Sequence, residues 1–239
     1  MPRLRAPSKE DSQLLPPFAT LPDRAIHVPT TEAEFEAARQ ALKAAPVLGF
    51  DTESKPLFQV HQTDTGPHLV QLATRDAAWL LQLHHPQALQ LAAEVLGDAA
   101  ICKAGFGLDN DNRTLPARLG VALRNVVDLD RVFKRHGYGN SVGVRAAVAL
   151  VLGQGFHKSK RVSTSNWAAR QLSESQRRYA ANDAHSAAMV QAALAAWEAR
   201  QPSPAPDRRR TGPRTRPAGA NGAAGPAATA GRTKMPDTD

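Results

Sequence analysis

Three short strings carry acidic side chains at spacings that suit chemistry. The first is Asp51-Thr52-Glu53, preceded by Val47, Leu48, Gly49 and Phe50. Apolar or small residues before the acids suit a buried central strand, and residues i and i+2 of a strand share a face. Asp51 and Glu53 would then project together from the strand's end. Two carboxylates this close repel one another unless a cation lies between them. Oxygen-only ligands favour hard divalent ions, Mg²⁺ or Mn²⁺.

The second string runs from Gly105 through Phe106, Gly107, Leu108, Asp109 and Asn110 to Asp111. Gly105 and Gly107 begin like a dinucleotide-binding loop, but Asn110 stands where the third glycine belongs. A strand, a tight turn and a helix with acids in its first turn remain. Such acids also simply complement the helix dipole. Spacing alone does not choose between Asp109 and Asp111. The third string is Tyr179-Ala180-Ala181-Asn182-Asp183. Positions i and i+4 share a helix face, so the phenol and the carboxylate point the same way. Each string alone has an ordinary structural reading. Together, acids from a strand end and two helices could converge at one sheet edge. Four carboxylates on one spot suit a two-metal phosphoryl-transfer centre.

The elements needed to bring them together are legible. Thr31 can cap a helix over 32–45, with Glu34 in the reciprocal position of a capping box. Apolar runs at 46–53, 68–73 and 78–83 are separated by short connections, which favours an antiparallel meander. A helix over 86–96, a strand at 99–103, a helix near 108–119 and a strand at 125–128 follow. Strands alternating with helices imply parallel crossovers. The expected fold is therefore α/β, a mixed five-stranded sheet flanked by helices. Ser173 and Gln176 form a second capping box, opening a last helix that should run to about Trp197.

Residues 1–24, with Pro16, Pro17 and Pro22, read as an extended lead-in, and 25–200 as one domain. The stretch 201–239 is Pro, Ala, Gly, Arg and Thr with almost no large apolar side chain, and should be disordered. It holds seven basic and three acidic residues, half of the net charge of +8. A basic balance favours polyanion partners. No run reaches the roughly 18–20 apolar residues of a membrane span, and no secretory signal pattern opens the chain. The single cysteine, Cys102, excludes a disulfide within the chain. The expected location is cytoplasmic.

The strings GFDTE at 49–53, HLVQLAT at 68–74, KAGFGLDNDNRTL at 103–115, SNW at 165–167 and YAANDAH at 179–185 carry a family resemblance. They resemble the DEDDy branch of 3′–5′ exonucleases, the RNase D-like and Werner-exonuclease-like enzymes with an RNase H-like fold. The resemblance implies that Asp51, Glu53, Asp111 and Asp183 bind two divalent ions, Mg²⁺ or Mn²⁺. It marks Tyr179 as the residue that orients the attacking water, since Arg178 stands where the histidine subtype would carry its histidine. It implies hydrolysis from the 3′ end of single-stranded nucleic acid, releasing nucleoside 5′-monophosphates. The rival readings are a catalytically weak nucleic-acid-binding module and a scavenger of very short oligonucleotides. For substrate contacts, Lys103 precedes the glycine turn, Phe106 lies within it, and Lys158, Lys160 and Arg161 lie in a basic loop that could hold a strand's backbone.

Overall fold

The computed structural model describes residues 3–57, 63, 65–139 and 141–201. In chain order the elements are α1 (Lys9–Gln13), a 3₁₀ turn (Asp23–Ala25), β1 (Ile26–His27), α2 (Glu32–Ala44) and β2 (Val47–Glu53). There follow β3 (Leu69–Ala73), β4 (Ala78–Gln82), α3 (Pro86–Gly97), β5 (Cys102–Gly105) and α4 (Asp109–Leu119). The chain continues through β6 (Val126–Asp128), α5 (Leu129–Arg135), α6 (Val144–Leu152), α7 (Lys160–Ser163) and α8 (Glu174–Glu198). Both capping boxes form, at Thr31 with Glu34 and at Ser173 with Gln176.

Among the described residues the sheet has six strands in the order β1-β4-β3-β2-β5-β6. β2, β3 and β4 make the antiparallel meander, and β5 and β6 join β2 in parallel. The sheet thus has the expected mixed architecture with one strand more. The extra strand, β1, is only two residues long and pairs parallel with β4 at the edge. Two residues show no periodicity, so nothing in the sequence announces it.

β2 lies at the centre, and its alternation divides the molecule. Leu48 and Phe50 enter an apolar cluster with Phe35 and Leu42 of α2 and Leu91 and Leu96 of α3. Gly49 turns the other way, onto α8. A Cβ at Gly49 would lie 1.8 Å from the Ala184 carbonyl oxygen, so only glycine lets helix and strand approach this closely. Ala180, Ala181, Ala184, Ala187 and Ala188 line the buried side of α8 and allow the same approach.

The lead-in is not extended throughout. Ser8 caps α1 with a capping box, and α1 packs on α6. Phe18 and Leu21 are buried, and the Leu21 N–H donates to Asn182 Oδ1 on α8 at 3.0 Å. Two apolar anchors scattered among prolines are enough to fix the segment, though too sparse to form a pattern. Residues 202–239, read as a disordered tail, lie outside the described residues.

Candidate active site

Three of the four predicted acids meet. Oxygen atoms of Asp51, Glu53 and Asp183 all lie within 4.8 Å of one another. Asp51 and Glu53 stand on the face of β2 that meets α8, and Asp183 faces them from that helix. Asp183 is only 3% exposed and Asp111 8%. Asp111 is fixed beside this trio: its Oδ1 accepts from the Thr52 hydroxyl. Thr52, between the two acids, points to the opposite side of β2 and so reaches α4. Its parity on the strand was visible in the sequence; its role as partner was not predicted. Asp109, the rejected alternative, is exposed and pairs with Arg131.

The glycine turn delivers Asp111. Gly107 has φ +66°, the left-handed region that favours glycine, and starts α4 at the right angle. Asp128, at the end of β6, holds this turn by accepting from the Gly107 and Leu108 N–H groups at 3.1 and 3.2 Å. Sequence reasoning noted Asp128 only as a strand end.

Crowding and burial set the electrostatics. Burial, then the neighbouring Asp183, pushes the Asp51 carboxyl up to about 7. Burial and Asp51 push Glu53 up to about 9. Burial raises Asp183 to about 6, even with Lys158 opposing the shift. Burial likewise raises Asp111. Clustered carboxylates out of water disfavour their charged forms, so the site has an unmet demand for positive charge. Lys158 meets part of it. Its Nζ lies 2.6 Å from Asp183 Oδ2 and 5.2 Å from the centre of the Tyr179 ring. Burial alone would depress this lysine, but Asp183 and Asp51 outweigh it and hold the ammonium above the ordinary lysine range.

Tyr179 follows its expected spacing and shares the site, its phenol raised to about 12 by burial and by Asp183. Trp167 is buried with its ring centre 5.9 Å from that of Tyr179, and its indole N–H donates to the Ser163 carbonyl. It therefore fixes the loop beside Tyr179.

The other predicted contacts divide. Phe106 is half-buried and lines the cavity above Asp51 and Asp183, as does Lys158. Lys160 and Arg161 are exposed on α7. Lys103 needs correction. It is fully buried, and its ammonium donates to the Asp98 carbonyl at 2.6 Å. Asp98 precedes β5, whereas the acids gather beyond the other end of the parallel strands. Lys103 therefore cannot reach a phosphate held by the acids.

The fit of this site to divalent cations is chemical. The donors are oxygens, they are too close to be comfortable as free anions, and their burial removes the water that would otherwise screen them. Hard ions such as Mg²⁺ or Mn²⁺ suit such a donor set.

A family model described as 3′–5′ exonuclease matches residues 26–196. The chain belongs to the 3′–5′ exonuclease family. Within it the chain is of the DEDDy type. Among similar proteins are the Mus musculus bifunctional 3′–5′ exonuclease/ATP-dependent helicase WRN, 27% identical over 62% of this chain and 11% of that protein, and an Arabidopsis thaliana 3′–5′ exonuclease, 27% identical over 58% of this chain and 49% of that protein. The chain thus spans half or less of the length of these curated relatives. Among solved structures, the Aedes aegypti Nibbler EXO domain superposes with a TM-score of 0.64 at 23% identity, covering 76% of this chain and 93% of that one. Trypanosoma brucei RNase D in complex with RNA U12 gives a TM-score of 0.61 at 22% identity, covering 70% and 61%. At these identities the structures speak for a shared RNase H-like exonuclease fold.

Proposed function

We propose that this family member is a divalent-metal-dependent exonuclease that removes nucleotides from the 3′ end of a single strand. The observation that carries this reading is the meeting of Asp51, Glu53 and Asp183 within 4.8 Å at the end of the central strand. Such a trio is costly unless it serves to bind cations. Asp51, Glu53 and Asp183 would hold one ion, and Asp111, beside them on Thr52, would complete a second position. Bound divalent ions would supply Lewis acidity for activating a water and for neutralising charge on the leaving 3′ oxygen.

The protein's own groups do the rest. Tyr179, raised to about 12, is a neutral phenol at physiological pH, so it orients the water by hydrogen bonding rather than acting as a phenolate base. Lys158 offsets acid repulsion before cations arrive, and its ammonium is then free to meet a phosphate oxygen. Phe106, on the cavity wall, offers an apolar surface to the terminal base. The released products would be nucleoside 5′-monophosphates. The RNA-bound RNase D structure supports a nucleic-acid strand as the substrate class.

The deciding experiment is digestion of matched 3′-labelled and 5′-labelled RNA and DNA strands with Mg²⁺, with Mn²⁺ and with EDTA. Immediate release of the 3′ label as a mononucleotide, stopped by EDTA, is expected. Release from the 5′ end first, or cleavage that continues in EDTA, would overturn the proposal.

A further inference from the structure

The cavity over the acids extends well beyond them. Its volume is 530 Å³, and Asp51 and Asp183 line one side. Its far wall is made by residues that the catalytic centre does not use. Ser141, Gly143, Val144 and Arg145 bring the start of α6, and Pro7 and Lys9 bring the N-terminal segment. This wall is built. The Val142 N–H donates to the buried Asp130 Oδ1 at 2.6 Å, which fixes the loop entering α6. α1, which carries Lys9, packs on α6. Behind them Gly155 has no room for a side chain, because a Cβ there would lie 2.4 Å from the Ser12 carbonyl oxygen.

The charges on this wall are uncommitted. Of the basic residues that line this cavity, Lys158 is paired with Asp183. Lys9 and Arg145 have no ion pair among the described residues. Two unpaired cations facing a cavity whose other side is acidic form a gradient. A polyanion bound across it would place its cleaved end at the carboxylates and its continuing phosphates at the cations.

Resting on the exonuclease reading, we infer that Lys9 and Arg145 form a phosphate-binding wall. It holds the internucleotide phosphates of the strand upstream of the scissile bond. The N-terminal segment is then part of the substrate site rather than a lead-in to it. The ligand class is a single strand several nucleotides long. A dinucleotide without a 5′-phosphate has one phosphodiester, the one cleaved, and so offers this wall no upstream phosphate. The two positions are positioning residues for substrate and take no part in the chemistry.

Salt dependence separates this role from a structural one. Each phosphate contact on a single strand contributes a slope of roughly −0.7 to log K against log[salt]. The test measures fluorescence anisotropy of a 5′-fluorescein 12-mer bound to the full chain in EDTA, where turnover is blocked, over a series of salt concentrations. Lys9→Ala and Arg145→Gln should each flatten the slope by about 0.7, and the double variant by about 1.4. Lys9 is exposed at the start of a short helix, so its variant tests the wall even if the Arg145 variant folds poorly. With Mg²⁺ added, KM for the 12-mer should rise about tenfold in the double variant while kcat and dinucleotide turnover stay at the wild-type level. Unchanged slopes in a folded Lys9→Ala protein would overturn the inference, whether or not the enzyme is active. Flattened slopes with no 3′-end cleavage by the wild type would keep the wall and overturn the exonuclease reading instead.

Discussion

The two faces of β2 obey opposite rules. On one, Leu48 and Phe50 sink into the apolar cluster beneath α2 and α3, where burial alone stabilises the fold. On the other, Gly49, Asp51 and Glu53 meet α8, where a missing side chain brings the helix close and the next residues confront it with negative charge. One strand, through the period of two, supplies both a core and a site. The lesson is that the site takes its rigidity from the opposite face and gives up stability of its own for charge. Raised carboxyls at Asp51, Glu53 and Asp183 record that cost.

The sharpest way to separate the faces is to remove one acid. Asp183→Ala or Asp51→Ala should lower kcat by at least about 10³-fold, in line with losing a preorganised electrostatic centre. Both proteins should still melt cooperatively. Fully active Asp183→Ala protein would break the assignment. Gly49→Ala tests the seam between the faces. With the Ala184 carbonyl in the way, it should destabilise by about 3 kcal/mol in a denaturant titration. Leu42→Ala on the apolar face should cost a similar ~3 kcal/mol, yet leave kcat per folded molecule at the wild-type value. Tyr179→Phe should reduce kcat about 10²-fold, the weight of one preorganised hydrogen bond at the reacting centre, without changing Mn²⁺ affinity.

The smallest effect is on stability against pH. A carboxyl raised in the folded state keeps a proton that the unfolded chain has released, so stability falls as pH rises through the interval between the two values. For Asp51 that interval runs from 3.8 to about 7. In EDTA the melting temperature should therefore drop by a few degrees between pH 5 and pH 8. Asp51→Asn should reduce the drop, and Lys158→Met should enlarge it by removing the internal cation. A melting temperature that climbs over the same range in EDTA would contradict the assigned strain.

Much of this was readable from residue order. The β2 acids, the glycine turn, both capping boxes and the Tyr179–Asp183 spacing fix their elements by local rules, and those elements formed. Asp111 could be chosen over Asp109 only through family likeness, because both sit in the first turn of α4. What stayed hidden depended on long-range contact. Thr52 reaching Asp111 and Asp128 pinning the Gly107 turn join segments far apart in sequence. β1 and α1 are too short for periodicity; β1 is held by its pairing with β4, and α1 by its capping box and its packing on α6. Lys103 misled because its position beside the turn says nothing of direction, and its ammonium turns back toward Asp98.

The central claim is that these acids form a divalent-cation site, and calorimetric titration of Mn²⁺ into the metal-stripped protein tests it most directly. The wild type should bind Mn²⁺ with displacement of protons, more tightly at pH 8 than at pH 6, and Asp51→Asn should lose that binding while remaining folded. A wild type that takes up no Mn²⁺, or an Asp51→Asn variant that binds it equally well, would contradict the account.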